Sequence, residues 1–161
     1  TSLRPSIAAD PLGNRGLLWI AWEGEGHVAN NGTDRDVFLR NVFASVSGQL
    51  ILVSNAPNDG VSQEARVAVD ANTEVHVFWA ETGDIAGTGT DTDIFTRTWT
   101  GRQFTVMQSV SDPSSNRFNV EHSLSPDAVF VGTAHVVWDD ASDYDGDGTP
   151  DRDIIYATPP R

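Results

Sequence analysis

Cysteine and lysine are absent from this chain of 161 residues, and methionine occurs once. Without cysteine, neither a disulfide framework nor a thiolate metal site can hold the fold together. Without lysine, all ten basic residues are arginine; they face 23 acidic residues, for a net charge of −13. A field of that sign repels nucleic-acid phosphates and anionic membrane surfaces, so nucleic acid is not an expected partner. No apolar run approaches the roughly 18 to 20 residues of a membrane span, and no insertion into a membrane is expected. No signal-peptide pattern is visible. The chain begins at Thr1 rather than Met, which reads as a processed form or a fragment. Sustained helical periodicity with caps is also missing.

What is there is a repeat. Trp22, Trp79 and Trp138 stand 57 and 59 residues apart. Each is followed by an Asp-x-Asp pair and two apolar residues: Asp34 and Asp36 before Val37-Phe38, Asp91 and Asp93 before Ile94-Phe95, Asp151 and Asp153 before Ile154-Ile155. A period of this size marks a repeat architecture.

Each unit reads as short strands parted by turn residues. The first strand is 6–9, then 66–69, then 122–124, with Asp10, Asp70 and Asp127 as closing residues. The second is 17–22, 75–79 and 134–138, and these runs are almost continuously apolar, as in strands covered on both faces. The third is 37–40, 94–97 and 154–156; the fourth is 50–54 and 104–111. Four short antiparallel strands per unit describe an all-β, β-propeller-type blade. The alternative is a β-sandwich with fortuitous self-similarity, against which the agreement of several spacings argues. The expected organisation is one partial propeller over 1–161: blade 1 at about 1–60, blade 2 at about 61–117, blade 3 at about 118–161. Asp36 to Ser54 and Asp93 to Ser111 both span 18 positions, and the same step from Asp153 runs past Arg161. Blades 1 and 2 are therefore expected complete, and blade 3 lacks its outer strand, leaving an edge open to pairing.

The stretch Asp93-Ile94-Phe95-Thr96-Arg97-Thr98-Trp99-Thr100-Gly101-Arg102-Gln103-Phe104 resembles the blades of sialidase-like (BNR, Asp-box) propellers. Pro5-Ser6-Ile7-Ala8-Ala9-Asp10 resembles their inner strand. Thr100 stands where the box has Asp, so the resemblance implies the fold more than the enzyme. A sialidase also needs a nucleophilic Tyr with a Glu partner, and the two tyrosines are Tyr144 and Tyr156. Arg40 and Arg97 hold equivalent positions, which favours a structural pairing over a substrate clamp.

The sharpest local motif is Asp143-Tyr144-Asp145-Gly146-Asp147-Gly148-Thr149-Pro150-Asp151. Ca²⁺ takes six to eight oxygen ligands, and carboxylates alternating along a glycine-containing loop converge on one point. The motif resembles the calcium loops of FG-GAP propellers and thrombospondin type 3 repeats. Asp143, Asp145, Asp147 and Asp151 are the expected side-chain ligands of Ca²⁺, with Thr149 adding a carbonyl. The corresponding loops 23–32 and 83–91 are degenerate, and their Asp pairs read as acceptors for backbone N–H groups at strand starts. His76 and His135 align with Trp19 and read as packing positions. Glu23, Glu81 and Asp139 lie near the repeat tryptophans, and a hydrolytic pair can be imagined among them. Asn31-Gly32-Thr33 fits a glycosylation sequon, a short pattern whose chance match is the default.

These features point to a non-enzymatic, calcium-stabilised propeller module, extracellular or on a cell surface, acting in adhesion or in assembly into oligomers or filaments. Its partner would be a second copy or the remainder of a larger chain, completing the open blade. The alternative is a glycan-binding or glycan-cleaving piece of a sialidase-like propeller.

Overall fold

The alternation along Val75–Glu81 organises the molecule. Val75, Val77 and Trp79 point to one side and Phe78 and Ala80 to the other, and all five are fully buried. In a strand successive side chains face opposite ways, so this strand is covered on both faces and lies in the middle layer. The computed structural model describes residues 1–12, 16–25, 34–44, 46–55, 60–85, 87–89, 91–111, 123–141 and 152–158.

The described residues form three antiparallel sheets. Sheet 1 runs β1 (Ser2–Ala9), β2 (Leu18–Glu25), β3 (Arg35–Phe43), with the short β4 (Val46–Ser47) and β5 (Ile51–Leu52) both pairing with β3. Sheet 2 runs β6 (Ser62–Val69), β7 (Val75–Glu81), β8 (Asp93–Trp99), β9 (Gln108–Ser109). Sheet 3 runs β10 (Ser123–Val131), β11 (Thr133–Asp140), β12 (Asp153–Ala157). No sheet closes into a barrel among the described residues. Among the described residues β12 pairs only with β11. The expected fourth strands shrink to two-residue ladders, with an isolated bridge between Trp99 and Phe104.

The sheets stack face to face. β6 packs on β1, β2 and β3, and β10 packs on β6, β7 and β8. One core lies between sheets 1 and 2, built from Trp19, Ala21, Val37, Leu39, Val67, Val77, Trp79 and Phe95 among others. A second lies between sheets 2 and 3, with Phe78, Ala80, Ile94, Val136 and Trp138. Fully burying an aliphatic or aromatic side chain contributes about 1.5–3 kcal/mol, so these two layers supply most of the cohesion.

The expected doubly covered second strand holds for β7 alone. In β2, Trp19 and Ala21 face sheet 2, while Ile20 and Trp22 face away from it. In β11, Val136 and Trp138 face sheet 2, and Val137 is exposed. The third closing residue also differs. Asp127 does not end a strand; it sits within β10 opposite Val137. β10 continues to Val131, where Gly132 (φ 76°) makes the tight turn into β11. In sheet 2 that turn is longer, and Asp70 Oδ1 accepts the N–H groups of Asn72 and Glu74 at 2.9 and 2.8 Å.

Candidate functional site

Two polar constellations stand out, one grown from an irregularity common to all three sheets and one from a break in the repeat. The first lies on the three opening strands. β1, β6 and β10 each carry a register shift, between Leu3 and Ser6, Gln63 and Arg66, and Leu124 and Asp127. At each shift a non-glycine residue takes a positive φ: Arg4 at 46°, Glu64 at 59°, Ser125 at 53°. A bulge re-aims side chains and disfavours most residues at positive φ, so its repetition in all three sheets is a designed feature.

The bulges meet one another through Glu64. Arg4 Nη1 lies 3.1 Å from Glu64 Oε1, and the Ser125 N–H donates to Glu64 Oε2. The Glu64 N–H donates to Glu23 Oε2 at 2.7 Å. Glu23 is fully buried, and both Arg4 and Arg35 approach its Oε1 at 3.7 Å. Arg35 also holds Glu25 at 2.8 Å, which lowers the Glu25 carboxyl pKa and raises that of the guanidinium. Both Glu23 and Glu64 accept a backbone N–H and face the same guanidinium. The arrangement clamps three strands from three sheets.

Glu81 and Asp140 have a related structural role. Glu81 accepts from Ser62 Oγ, Trp79 Nε1 and the N–H groups of Gly60 and Gly83. Asp140 accepts from Ser123 Oγ at 2.6 Å and Trp138 Nε1 at 3.1 Å. Asp139 faces away on sheet 3 and pairs with Arg152 at 3.1 Å. Glu23, Glu81 and Asp139 sit in three different sheets, and each is engaged by hydrogen-bond or ion-pair partners of its own.

The second constellation is a cleft of about 480 Å³ between sheets 2 and 3. Between sheets 1 and 2 the equivalent place is occupied by Trp19. In β7 the residue is His76, which stacks on Phe130 with ring centroids 4.3 Å apart and leaves room beside it. The cleft is lined by Asp70, Glu74 and His76 on one side and by Thr96, Thr98 and Gln108 along the sheet. His76 Nδ1 lies 2.9 Å from the Thr98 hydroxyl, and its Nε2 lies 3.9 Å from Asp70 Oδ2. Burial lowers the imidazole pKa, with Asp70 opposing the shift.

The read of His76 as a packing position captures its contact with Phe130 and misses its polar neighbours. The signal was the break itself: a histidine where the preceding unit has tryptophan, two residues after Glu74 and six after a turn-capping Asp. Arg4, Arg35, Glu64 and Ser125 carried no comparable local mark.

The Asp pairs resolve into clasps. Ser54 Oγ donates to Asp36 Oδ1 at 2.8 Å and accepts the Val37 N–H at 3.0 Å. Ser111 Oγ does the same with Asp93 and Ile94, at 2.8 and 2.9 Å. The strand-start N–H groups donate to the serine hydroxyls, and each Asp expected to accept them holds that hydroxyl instead. Arg97 Nη1 donates to the Val53 carbonyl of sheet 1 at 2.7 Å, a cross-sheet contact made to the backbone rather than to an Asp of the neighbouring unit. The expected calcium ligands Asp143, Asp145, Asp147, Thr149 and Asp151 lie outside the described residues. Within the 83–91 loop, Asp84 Oδ1 accepts the Gly89 N–H at 3.2 Å. A scan against family models finds no match to this chain, and a search of curated proteins finds none either.

Proposed function

We propose that this chain is a non-enzymatic, propeller-type assembly module whose end sheets are covered by those of a second copy. The observation that carries this reading is a pair of equivalent arginines. Arg97 reaches across from sheet 2 to a carbonyl of sheet 1. Arg40 holds the same place in sheet 1, and its buried Nε has no hydrogen-bond partner. The aromatic residues agree with it. Trp79 and Phe95 stack in the core against sheet 1. Half-buried Trp22 and buried Phe38 form the matching stack on the face of sheet 1 turned away from sheet 2, beside Arg40 and an exposed Ile7.

At the other end, sheet 3 leaves Val129, Val137, Ile154 and Tyr156 exposed. Their counterparts in sheet 2, such as Phe78, are buried against the next sheet. Exposed apolar side chains gathered on one sheet of a strongly acidic chain, interspersed with Asp127, His135 and Asp139, mark an interaction surface. The two end faces differ, so their union is head-to-tail and yields a ring or a filament. The edge of β12 that is unpaired among the described residues offers strand addition as well. Ca²⁺ held by Asp143, Asp145, Asp147, Thr149 and Asp151 belongs to this reading as a stabilising ion, and an extracellular or cell-surface home suits it.

Sedimentation of the chain with millimolar Ca²⁺, then with chelator, tests the reading. The expected result is a species larger than the 17.4 kDa monomer that shrinks when calcium is removed. A monomer at every concentration and in both conditions overturns it.

A further inference from the structure

We infer that Asp70, Glu74 and His76 form a binding site for one divalent first-row transition-metal ion at the mouth of the cleft between sheets 2 and 3. One ligand atom from each lies within 4.8 Å of the others. Metal–ligand bonds of about 2.0–2.2 Å place tetrahedral neighbours about 3.4 Å apart, so modest side-chain closure gives a bonded set. His76 Nε2 and Asp70 Oδ2, at 3.9 Å, are already near that distance.

The side chains are also oriented for it. His76 Nδ1 is engaged by the Thr98 hydroxyl, the outer-shell contact that fixes ring orientation in metal-bound histidines. The other nitrogen, Nε2, is buried and has no hydrogen-bond partner. A buried polar atom left unpaired is costly, and a cation in this position satisfies it. Asp70 is held from behind. Its Oδ1 takes two backbone N–H groups, while Oδ2, which has one long 3.4 Å contact from Asn72 Nδ2, lies on the His76 side.

The donor set separates this site from an oxygen-only calcium loop. One imidazole with two carboxylates suits zinc, manganese or iron, whereas Ca²⁺ takes oxygen alone. Three protein ligands leave at least one coordination position, and the cleft gives a small oxygen or nitrogen donor access to it. The overall charge of −13 favours cation entry.

Zn²⁺ titration of the whole chain, in millimolar Ca²⁺ so that oxygen-only sites are filled, tests the inference calorimetrically. One Zn²⁺ per chain is expected. His76→Asn and Glu74→Gln should each weaken it at least about tenfold, and His135→Asn, on the exposed face of sheet 3, should leave it unchanged. Co²⁺ gives a second readout, a visible absorption band that His76→Asn abolishes. Glu74→Gln keeps the His76–Phe130 packing, so it decides the question even where His76→Asn unfolds. Absence of Zn²⁺ binding, or binding equally tight in Glu74→Gln, overturns the inference.

Discussion

The Ser111 hydroxyl sits between the Asp93 carboxylate, 2.8 Å away, and the Ile94 N–H, 2.9 Å away. It ties the chain after β9 to the start of β8, and Ser54 repeats the arrangement with Asp36 and Val37. Each clasp closes the outer edge of a sheet whose fourth strand supplies only a two-residue ladder.

Removing one clasp leaves a buried carboxylate and a buried N–H without their shared partner. Ser111→Ala is therefore expected to cost about 1–3 kcal/mol, and Ser54→Ala a similar amount. Urea unfolding measures both. A loss below a few tenths of a kcal/mol in each would contradict the role given to the hydroxyls.

Asp93 gives the fold a pH dependence of definite sign. Burial, reinforced by Asp91 and Asp140 and opposed by Ser111, pushes its carboxyl from an ordinary 3.8 up to about 6. The folded state then holds the proton more tightly than the unfolded chain. Asp93's stabilising contribution is fullest below pH 3.8 and is lost as pH rises through about 6. At about 1.4 kcal/mol per unit, the loss approaches roughly 3 kcal/mol. Asp93→Asn keeps an acceptor for Ser111 and removes the charge. Its stability relative to the parent chain should rise between pH 4 and pH 6, then level off. A difference that is flat across that window contradicts the assignment.

Trp79 and Trp22 are repeat equivalents with unequal surroundings. Trp79 is fully buried between sheets, so Trp79→Ala should cost about 3–5 kcal/mol. Trp22 is half-buried on an uncovered face, and Trp22→Ala should cost less than half as much in the dilute monomer. Denaturant titration at low concentration compares them.

The exposed face of sheet 3 gives a matching test of assembly. Ile154 is 75% exposed, so Ile154→Lys should leave monomer stability within about 0.5 kcal/mol. It should nonetheless abolish the concentration-dependent rise in mass. Unchanged association in this variant would remove sheet 3 from the interface.

Calcium should raise the melting temperature of the parent chain in proportion to the logarithm of its concentration, as for any ligand of the folded state. Asp145→Asn should flatten that dependence. An identical response in both proteins would take Asp145 out of the ligand set.

Much of this was legible along the chain, because period-two alternation and turn chemistry are local properties. The runs around Trp22, Trp79 and Trp138 mark the second strand of each sheet. The 18-residue step from Asp36 to Ser54 and from Asp93 to Ser111 is the length of the clasp itself. All three opening strands are longer than their apolar runs imply: β1 and β6 begin at Ser2 and Ser62, ahead of the bulges, and β10 continues past Asp127 to the turn at Gly132.

The sequence alone determined an all-β chain of three similar units, each with its recurring strands and Asp pair. Only the tertiary structure decided which copy of a repeated residue is covered. Trp22 and Trp79 have like local sequences, yet one faces a neighbouring sheet's core and the other does not, since stacking order gives the end sheets one neighbour fewer. The Arg4–Glu64–Ser125 clamp joins residues about 60 positions apart, so it exists only once three bulged strands lie side by side. His76 reads along the chain as a packing residue; the cleft left beside it, with Phe130 of sheet 3 against its ring, exists only once sheets 2 and 3 are stacked.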